Sequence, residues 1–391
     1  MKFSVERDAL AEAAAWVARA LPSRPVIPVL AGLLLHAEPP ASGQPGALTL
    51  SCFDYEVSAR MRIPAEVSEP GTVLVPGRLL VEITRSLPAG RSVDFGPDPE
   101  GLSMTCGEAA FTLATLPAGE YPELPDLPQL AGTADGGVLA AAIGQVTPAA
   151  SRDDTLPMLT AVNLELAGGR MTLAATDRYR MAVRDLGWEP APGWDDSSAL
   201  SVLVPARIMA DAARMMTASE PARIFLRRGD DGDDGTIGFE AGERRLTTRL
   251  LAGEFVRYRS RFPSEFGCTA ELPAGAFAEA VRRVALVAER GTPVQLSFAP
   301  GRVTVVAATQ GQARARESLP ADFTGDEPVI AFNPGYLLDG VTAAAGPDAE
   351  LPAGARVRLR FTSASKPAVI TQAAADGPEQ FRYLVVPQRA A

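Results

Sequence analysis

The chain has 391 residues, a length that calls for more than one domain. Hydrophobic residues make up 47% and charged residues 21%, which supports packed cores and excludes a chain dominated by disorder. The formal net charge of −10 excludes a general nucleic-acid coat, although for a polyanion the placement of positive charge matters more than its sum. No apolar run approaches the roughly 18 residues that cross a bilayer. Glu6, Arg7 and Asp8 stand where a signal peptide would need its apolar stretch, so a soluble, cytoplasmic protein is expected. Cys52, Cys106 and Cys268 are too scattered for a disulfide framework or a zinc site and read as buried free thiols.

In chain order, the first element is an amphipathic helix around residues 8–20, with Leu10, Ala14, Val17 and Leu21 on one face. Strand-like runs follow, among them LAGLLLHAE with the chain's one histidine, His36, and then the turn Phe53-Asp54-Tyr55-Glu56. VPGRLLVEITRSL, from Val75, reads as a second helix whose apolar face is Leu79, Leu80, Ile83 and Leu87. The stretch LPAGEYPELP then reads as a linker.

The same landmarks return twice. A helix over residues 137–146 precedes the strands AVNLEL, GRMTLAAT and YRMAVRDL and the turn Thr176-Asp177-Arg178-Tyr179. VPARIMADAARMM, from Val204, is the second helix of this copy, with Ile208, Met209, Ala212 and Met216 inward, and LLAGEFVRYRSRFP closes it. A helix over residues 273–288, with Phe277, Val281 and Val284, opens the third copy. The turn Thr309-Gln310-Gly311-Gln312 and NPGYLLDGVTAAA from Asn333 complete it. Pro76, Pro205 and Pro334 lie 129 residues apart in both intervals and mark the first turn of each second helix. The repeat implies an α+β chain of three domains, 1–125, 126–265 and 266–391, each with two helices and about eight strands.

The polar face of the second helix carries Arg78, Glu82 and Arg85 in the first copy and Arg207, Asp211 and Arg214 in the second. One such helix reads as a solvated face with ion pairs, whereas the shared pattern points to phosphates. Arg7, Arg19 and Arg24 near the first helix, and Arg282 and Arg283 in the third copy, extend it. The wall has no base-reading constellation, so sequence-neutral, salt-sensitive binding is expected. The third copy departs from the pattern with Tyr336, Gly340 and Ala343.

Catalytic chemistry finds few candidates. His36 reads as a packed strand residue, no Ser or Cys pairs with a second histidine, and neither lysine, Lys2 or Lys366, sits in a phosphate-binding loop. Asp230, Asp231, Asp233 and Asp234 read as a solvated hairpin loop without the spacing of a calcium loop, as do Asp153-Asp154 and Asp195-Asp196. No enzyme, cofactor or metal is expected.

LPSRPVIPVLAGLLL, SRDDTLPMLTAVNLEL, LAATDRYRMAVRDL and QFRYLVVPQR, together with the triplication, resemble the beta subunit of bacterial DNA polymerase III, the sliding clamp family, over essentially the full chain. The resemblance implies three DNA-clamp domains per chain and a ring-shaped head-to-tail homodimer, with helices lining the hole and sheets outside. It implies sequence-independent encirclement of double-stranded DNA, loading by a clamp loader, and tethering of the DNA polymerase III alpha subunit and other clamp-motif proteins. Arg24 and Arg152 match loops that approach DNA. Phe111 matches a dimer contact made against Leu286 and Val287. Thr155, Thr176, Arg178, Tyr179, Arg180, Met181, Val256, Val386 and Pro387 match a partner-peptide pocket between the second and third domains. Departures cluster in that pocket: Arg178 replaces the usual Gly, Val256 the usual Pro, and Val386 the usual Met. Neutral drift and selection against a peptide-like pocket inhibitor both account for them. A rival reading is a repeat-built adaptor that does not touch DNA, which the acidic net charge favours.

Overall fold

The structure is a computed structural model that describes residues 1–41, 45–194, 199–229, 235–289, 291–309, 312–326, 328–346, 354–373 and 379–389. The acidic run from Asp230, the pair Asp195-Asp196, and Gln310 with Gly311 lie outside the described residues.

Among the described residues six α-helices appear in three pairs: α1 (Arg7–Val17) with α2 (Gly77–Ser86), α3 (Gly136–Val146) with α4 (Ala206–Ala213), and α5 (Ala274–Ala285) with α6 (Pro334–Ala345). Their starts use two devices. Side-chain oxygens cap α1, α3 and α6: Glu6 accepts from Asp8 N at 2.7 Å, Asp135 from Val138 N at 2.8 Å, and Asn333 from Gly335 N at 2.9 Å. Helices α2, α4 and α5 follow Pro76, Pro205 and Pro273 without a side-chain cap. Pro334 occupies the first turn as expected, while Pro76 and Pro205 stand one position ahead of theirs.

The described residues fall into two compact units. The first joins Met1–Gly132 with Glu220–Arg249. One sheet runs in the order Glu66–Glu69, Lys2–Glu6, Ser92–Asp98, Gly101–Cys106, Ala109–Leu113, so the last is an edge strand. In a second sheet Arg244–Arg249 pairs antiparallel with Val57–Pro64, placing Leu246 opposite Ala59. This pairing is why residues 220–249 belong with the first unit. Leu10, Ala13, Ala14 and Val17 of α1 are buried beneath the strands Ala47–Phe53 and Val57–Pro64.

The second unit joins Thr133–Ser219 with Leu250–Ala391. Its large antiparallel sheet includes Arg170–Thr176, Arg180–Gly187, Phe381–Val385 and Ala368–Gln372 as neighbours, with Met181 opposite Leu384. Helix α3 rests on the first two of these strands and α6 on the last two. A four-stranded sheet ends at the edge strand Ala313–Pro320, against which α5 packs.

Several expectations are corrected. Leu79 is 44% exposed, and Val81 turns inward beside Leu80 and Ile83 instead. His36 is not packed: it lies on the open side of its strand and shares a 2.7 Å hydrogen bond with Thr72 Oγ1. The helix expected over residues 273–288 stops at Ala285. The three cysteines are free and buried, and burial pushes the Cys52 thiol up to about 12. Residues 250–263 are more than a linker, because Tyr258 is buried among Ala174, Met181, Val183 and Leu384.

Gly340 explains one departure of the third copy. A Cβ there would stand 2.4 Å from the buried ring of Tyr383 and 3.1 Å from Ile370, so α6 approaches its sheet through a position only glycine fits. Gly340→Ala is expected to destabilise by about 1–3 kcal/mol and lower the Tm in a thermal melt. Gly144→Ala, on α3 where nothing lies within 4 Å, should instead leave the Tm unchanged or raised.

Candidate functional site

Helix α2 turns Leu80, Ile83 and Thr84 inward, so the 3.6-residue period throws Arg78, Glu82 and Arg85 onto the exposed face. In α4 the burial of Ile208, Met209 and Ala212 likewise exposes Arg207 and Arg214. The guanidiniums differ in how far they are already engaged. Arg85, Arg207, Arg24, Arg152 and Arg282 are exposed and make no side-chain hydrogen bond or ion pair among the described residues. Arg78 donates to Pro22 O at 3.3 Å, and Arg214 pairs with Asp211 at 2.6 Å. Arg283 is held by Glu317 at 2.7 Å and Glu279 at 3.2 Å, which neutralises it. Arg7 is tucked in, donating to Asp8 Oδ1 and Arg85 O at 2.7 Å each, so it adds no open charge.

Phe111 is half-buried on the edge strand Ala109–Leu113. Leu286, at the end of α5, is 83% exposed, and Val287 beside it is half-buried.

Near the expected pocket lies a cleft of about 350 Å³ in the second unit. It is built from one turn, one strand pair and one linker. Asp177 Oδ1 accepts from the backbone N–H groups of Tyr179 and Arg180 at 3.0 Å each, and Oδ2 pairs with Arg180 Nε at 2.9 Å. Thr176 Oγ1 donates to Arg180 O at 2.6 Å and accepts from Arg178 N at 3.2 Å. Together they hold Arg178 at φ 80, a left-handed conformation that disfavours side chains. Arg180 also bonds Asp339 and lies 4.4 Å from the Tyr336 ring centroid. Val386 N donates to Tyr179 O at 2.8 Å, extending the strand pairing past the turn.

Of the expected pocket residues, the structure brings Thr176, Arg178, Arg180, Met181, Val256 and Val386 into the lining. Thr155, Tyr179 and Pro387 are not in it. Tyr179 stacks on Tyr336 at 6.4 Å, and Thr155 donates to Asp153, whose carboxyl is thereby held below its ordinary value. Leu159, Arg261, Pro367 and Leu384 line the cleft unforeseen. Leu384 could have been found, since strand alternation puts it on the face of Val386. Arg261 gave no local signal.

Compared with known proteins, residues 1–125, 134–256 and 259–389 match the N-terminal, central and C-terminal domain models of the DNA polymerase III beta subunit. The chain is 48% identical over 392 residues to the beta sliding clamp of Streptomyces coelicolor, covering 100% of this chain and 99% of that protein. It is 41% identical over 392 residues to the beta sliding clamp homolog GriR of Streptomyces muensis, with the same coverage. A crystal structure of the Pseudomonas aeruginosa sliding clamp bound to griselimycin matches with a TM-score of 0.85 at 27% identity, over 100% of this chain and 99% of that one.

The turn depends on Asp177. Asp177→Ala leaves two backbone N–H groups without their acceptor and Arg180 with one carboxylate fewer. The expected loss is about 1–3 kcal/mol of stability, read by chemical denaturation, with faster amide exchange at residues 178–181.

Proposed function

The chain belongs to the DNA polymerase III beta subunit family, the beta sliding clamps, and from that membership we propose that its helix arginines face an encircled duplex and its cleft receives partner peptides. As a sliding clamp it is a processivity factor, holding polymerases on DNA rather than reading sequence. The observation that carries the reading is the matched placement of Arg78 and Arg85 on α2 and of Arg207 and Arg214 on α4, exposed on the faces opposite their cores. Such charges give loose contact with phosphates.

A head-to-tail homodimer follows from two incomplete surfaces. The strand carrying Phe111 is a sheet edge with unpaired backbone groups. Leu286 sits at the end of α5, which packs on another edge strand, Ala313–Pro320. Two unlike surfaces that meet head to tail close into a ring at the right rotation. No helix among the described residues is long and apolar enough to cross a membrane, and no group of three metal-ligating side chains occurs among them. From the family membership, and not from these absences, we read the protein as a non-catalytic accessory of replication in the cytoplasm, with domain boundaries near residues 125 and 265. The adaptor reading loses its footing, since three clamp-domain matches span the chain.

The cleft is the part that differs from the family pattern. Val256 and Val386 both line it, so the two substitutions act where a ligand would sit. The 41% identity to the homolog GriR, and the likeness to a Pseudomonas aeruginosa clamp bound to griselimycin, fit the reading of a variant copy with an altered pocket, while identity to the Streptomyces coelicolor clamp is higher still.

Encirclement predicts long residence on closed circular duplex and rapid loss when the circle is cut, measured by gel filtration after loading. Equal retention on circular and linear DNA would count against it. Light scattering should give about 80 kDa, twice the 41.0 kDa chain, and Leu286→Asp should shift it to a folded monomer.

A further inference from the structure

A cavity of about 650 Å³ opens on the second sheet of the first unit, on the face turned away from α1. Its floor is the strand pair Ala47–Phe53 and Val57–Pro64, whose register sets Ser51 opposite Arg60 and Thr49 opposite Arg62. Cys52, next along the strand, turns the other way and donates to Val17 O of α1 at 3.2 Å. Directly opposite residues stand about 5 Å apart at Cβ, so two guanidiniums and two hydroxyls share one small patch. Ser51 is 4% exposed and lines the cavity, yet its hydroxyl forms no hydrogen bond among the described residues, and neither does that of Thr49. Arg60 is exposed and likewise has no partner among them. It stands opposite Arg245 on the next strand, a like-charge pair that is unfavourable unless opposite charge joins it. Arg245 has Glu240 for this purpose; Arg60 has no such carboxylate.

The acidic groups around the cavity are mostly engaged. Glu240 is shared by Arg223 and Arg245, and Glu38 lies 3.4 Å from His36 Nε2 and 4.0 Å from Arg62 Nε. Glu243 keeps an open charge among the described residues. The second copy repeats the register with other chemistry, setting Ala174 opposite Val183 and Thr172 opposite Asp185. There Ala174 and Val183 pack with Tyr258, and Asp185 is a built-in anion that accepts from Thr172 Oγ1 at 2.6 Å and pairs with Arg170 and Arg382. In the first copy Arg62 replaces that carboxylate, and Leu124 stands where the second linker has Tyr258. The hydroxyls and guanidiniums are thus left facing a cavity.

We propose that this cavity binds a small soluble phosphate monoester. The phosphate takes the guanidiniums of Arg60 and Arg62 and the hydroxyls of Ser51 and Thr49, donors that suit a tetrahedral dianion. The uncharged body of the ligand lies against Leu34 and Leu124, in a volume typical of small-molecule sites and larger than a bare phosphate. None of these residues lines the peptide cleft or the arginine faces of α2 and α4, so the inference stands apart from both readings.

The test is titration calorimetry on the full-length protein at fixed ionic strength, with phenyl phosphate and inorganic phosphate as probes. Phenyl phosphate is expected to bind once per chain, about tenfold tighter than inorganic phosphate. The Ser51→Ala/Arg60→Val variant installs the pair that the second copy carries in the same register, and should weaken phenyl phosphate about tenfold or more. Should that variant fail a thermal melt, Arg60→Gln alone reads the same loss. Arg302→Gln, at an exposed arginine on another sheet, should leave binding unchanged. No saturable binding by the wild type at about 10 mM phenyl phosphate overturns the site. Equal affinity for the two probes overturns the monoester. Binding that survives in the variants, or that falls equally in Arg302→Gln, overturns the assignment to these residues.

Discussion

The antiparallel pairing of Arg180–Gly187 with Phe381–Val385 is the interaction on which the cleft depends. These strands lie in the central and C-terminal family domains, and their ladder makes one sheet of the two. Its register sets Met181 opposite Leu384, and the bond from Val386 N to Tyr179 O carries the pairing one step further. Side chains in a strand alternate between faces, so a slip of one residue would send Met181 and Leu384 to the helix side and empty the cleft wall. The linker closes the cleft because Tyr258 is anchored in the same cluster, which positions Val256 at the rim. Two non-local strands and one short linker therefore make a site that no single domain contains.

The first unit repeats the turn of the cleft with different chemistry beside it. The turn is duplicated closely: Asp54 Oδ1 accepts from Glu56 N at 3.0 Å and Val57 N at 2.8 Å, as Asp177 does in its own turn. The linkers correspond through Ala-Gly-Glu-Tyr at Tyr121 and Ala-Gly-Glu-Phe at Phe255. Tyr121 has a hydroxyl that accepts from Phe53 N at 2.7 Å and is thereby fastened over the turn. Phe53, standing where the second copy has Thr176, adds its ring against Tyr55 at 5.7 Å. Phe255 lacks the hydroxyl and packs edge-on against Tyr258 at 6.1 Å, and Val256 beside it lines the cleft. A hydroxyl on Tyr121 and a ring on Phe53, where the second copy has Phe255 and Thr176, distinguish the two turns.

Much of the architecture was readable in advance because its determinants are local. The three prolines, the buried i, i+4 positions of α1, α4 and α5, and the Asx turn all act within a few residues. The misreadings arose where partners are distant in sequence. Arg283 loses its open charge to Glu317 on the edge strand, and Arg7 to the carbonyl of Arg85, neither of which helix periodicity reveals. Leu79 looked apolar enough for the core, yet α2 uses Val81 in its stead. His36 sits in a hydrophobic run but on the open side, because Thr72 on the neighbouring strand gives its ring a partner. Arg261 and Pro367 enter the cleft only through the fold. Periodicity reports which face is buried; it does not report what a side chain meets there.

The distribution of ion pairs resolves the apparent conflict between a net charge of −10 and a DNA-encircling role. On the sheets, several arginines are drawn off by carboxylates: Arg223 and Arg245 share Glu240, Arg358 meets Glu271, Arg360 meets Glu379, and Arg170 and Arg382 share Asp185. On the helices, Arg85, Arg207 and Arg282 keep their charges open among the described residues. Pairs in the open contribute little to stability, about 0–1 kcal/mol each, whereas Glu240 is buried and needs its two arginines. Their larger effect is on the field, since each pair cancels a cation, whereas Arg85, Arg207 and Arg282 on the helices keep theirs, as do Arg302, Arg314 and Arg316 on the strands. A few such contacts without base recognition hold DNA weakly at cellular salt. Weak contact suits a ring, because topology rather than affinity then sets the residence time, and low friction along the duplex follows from the same sparse charge.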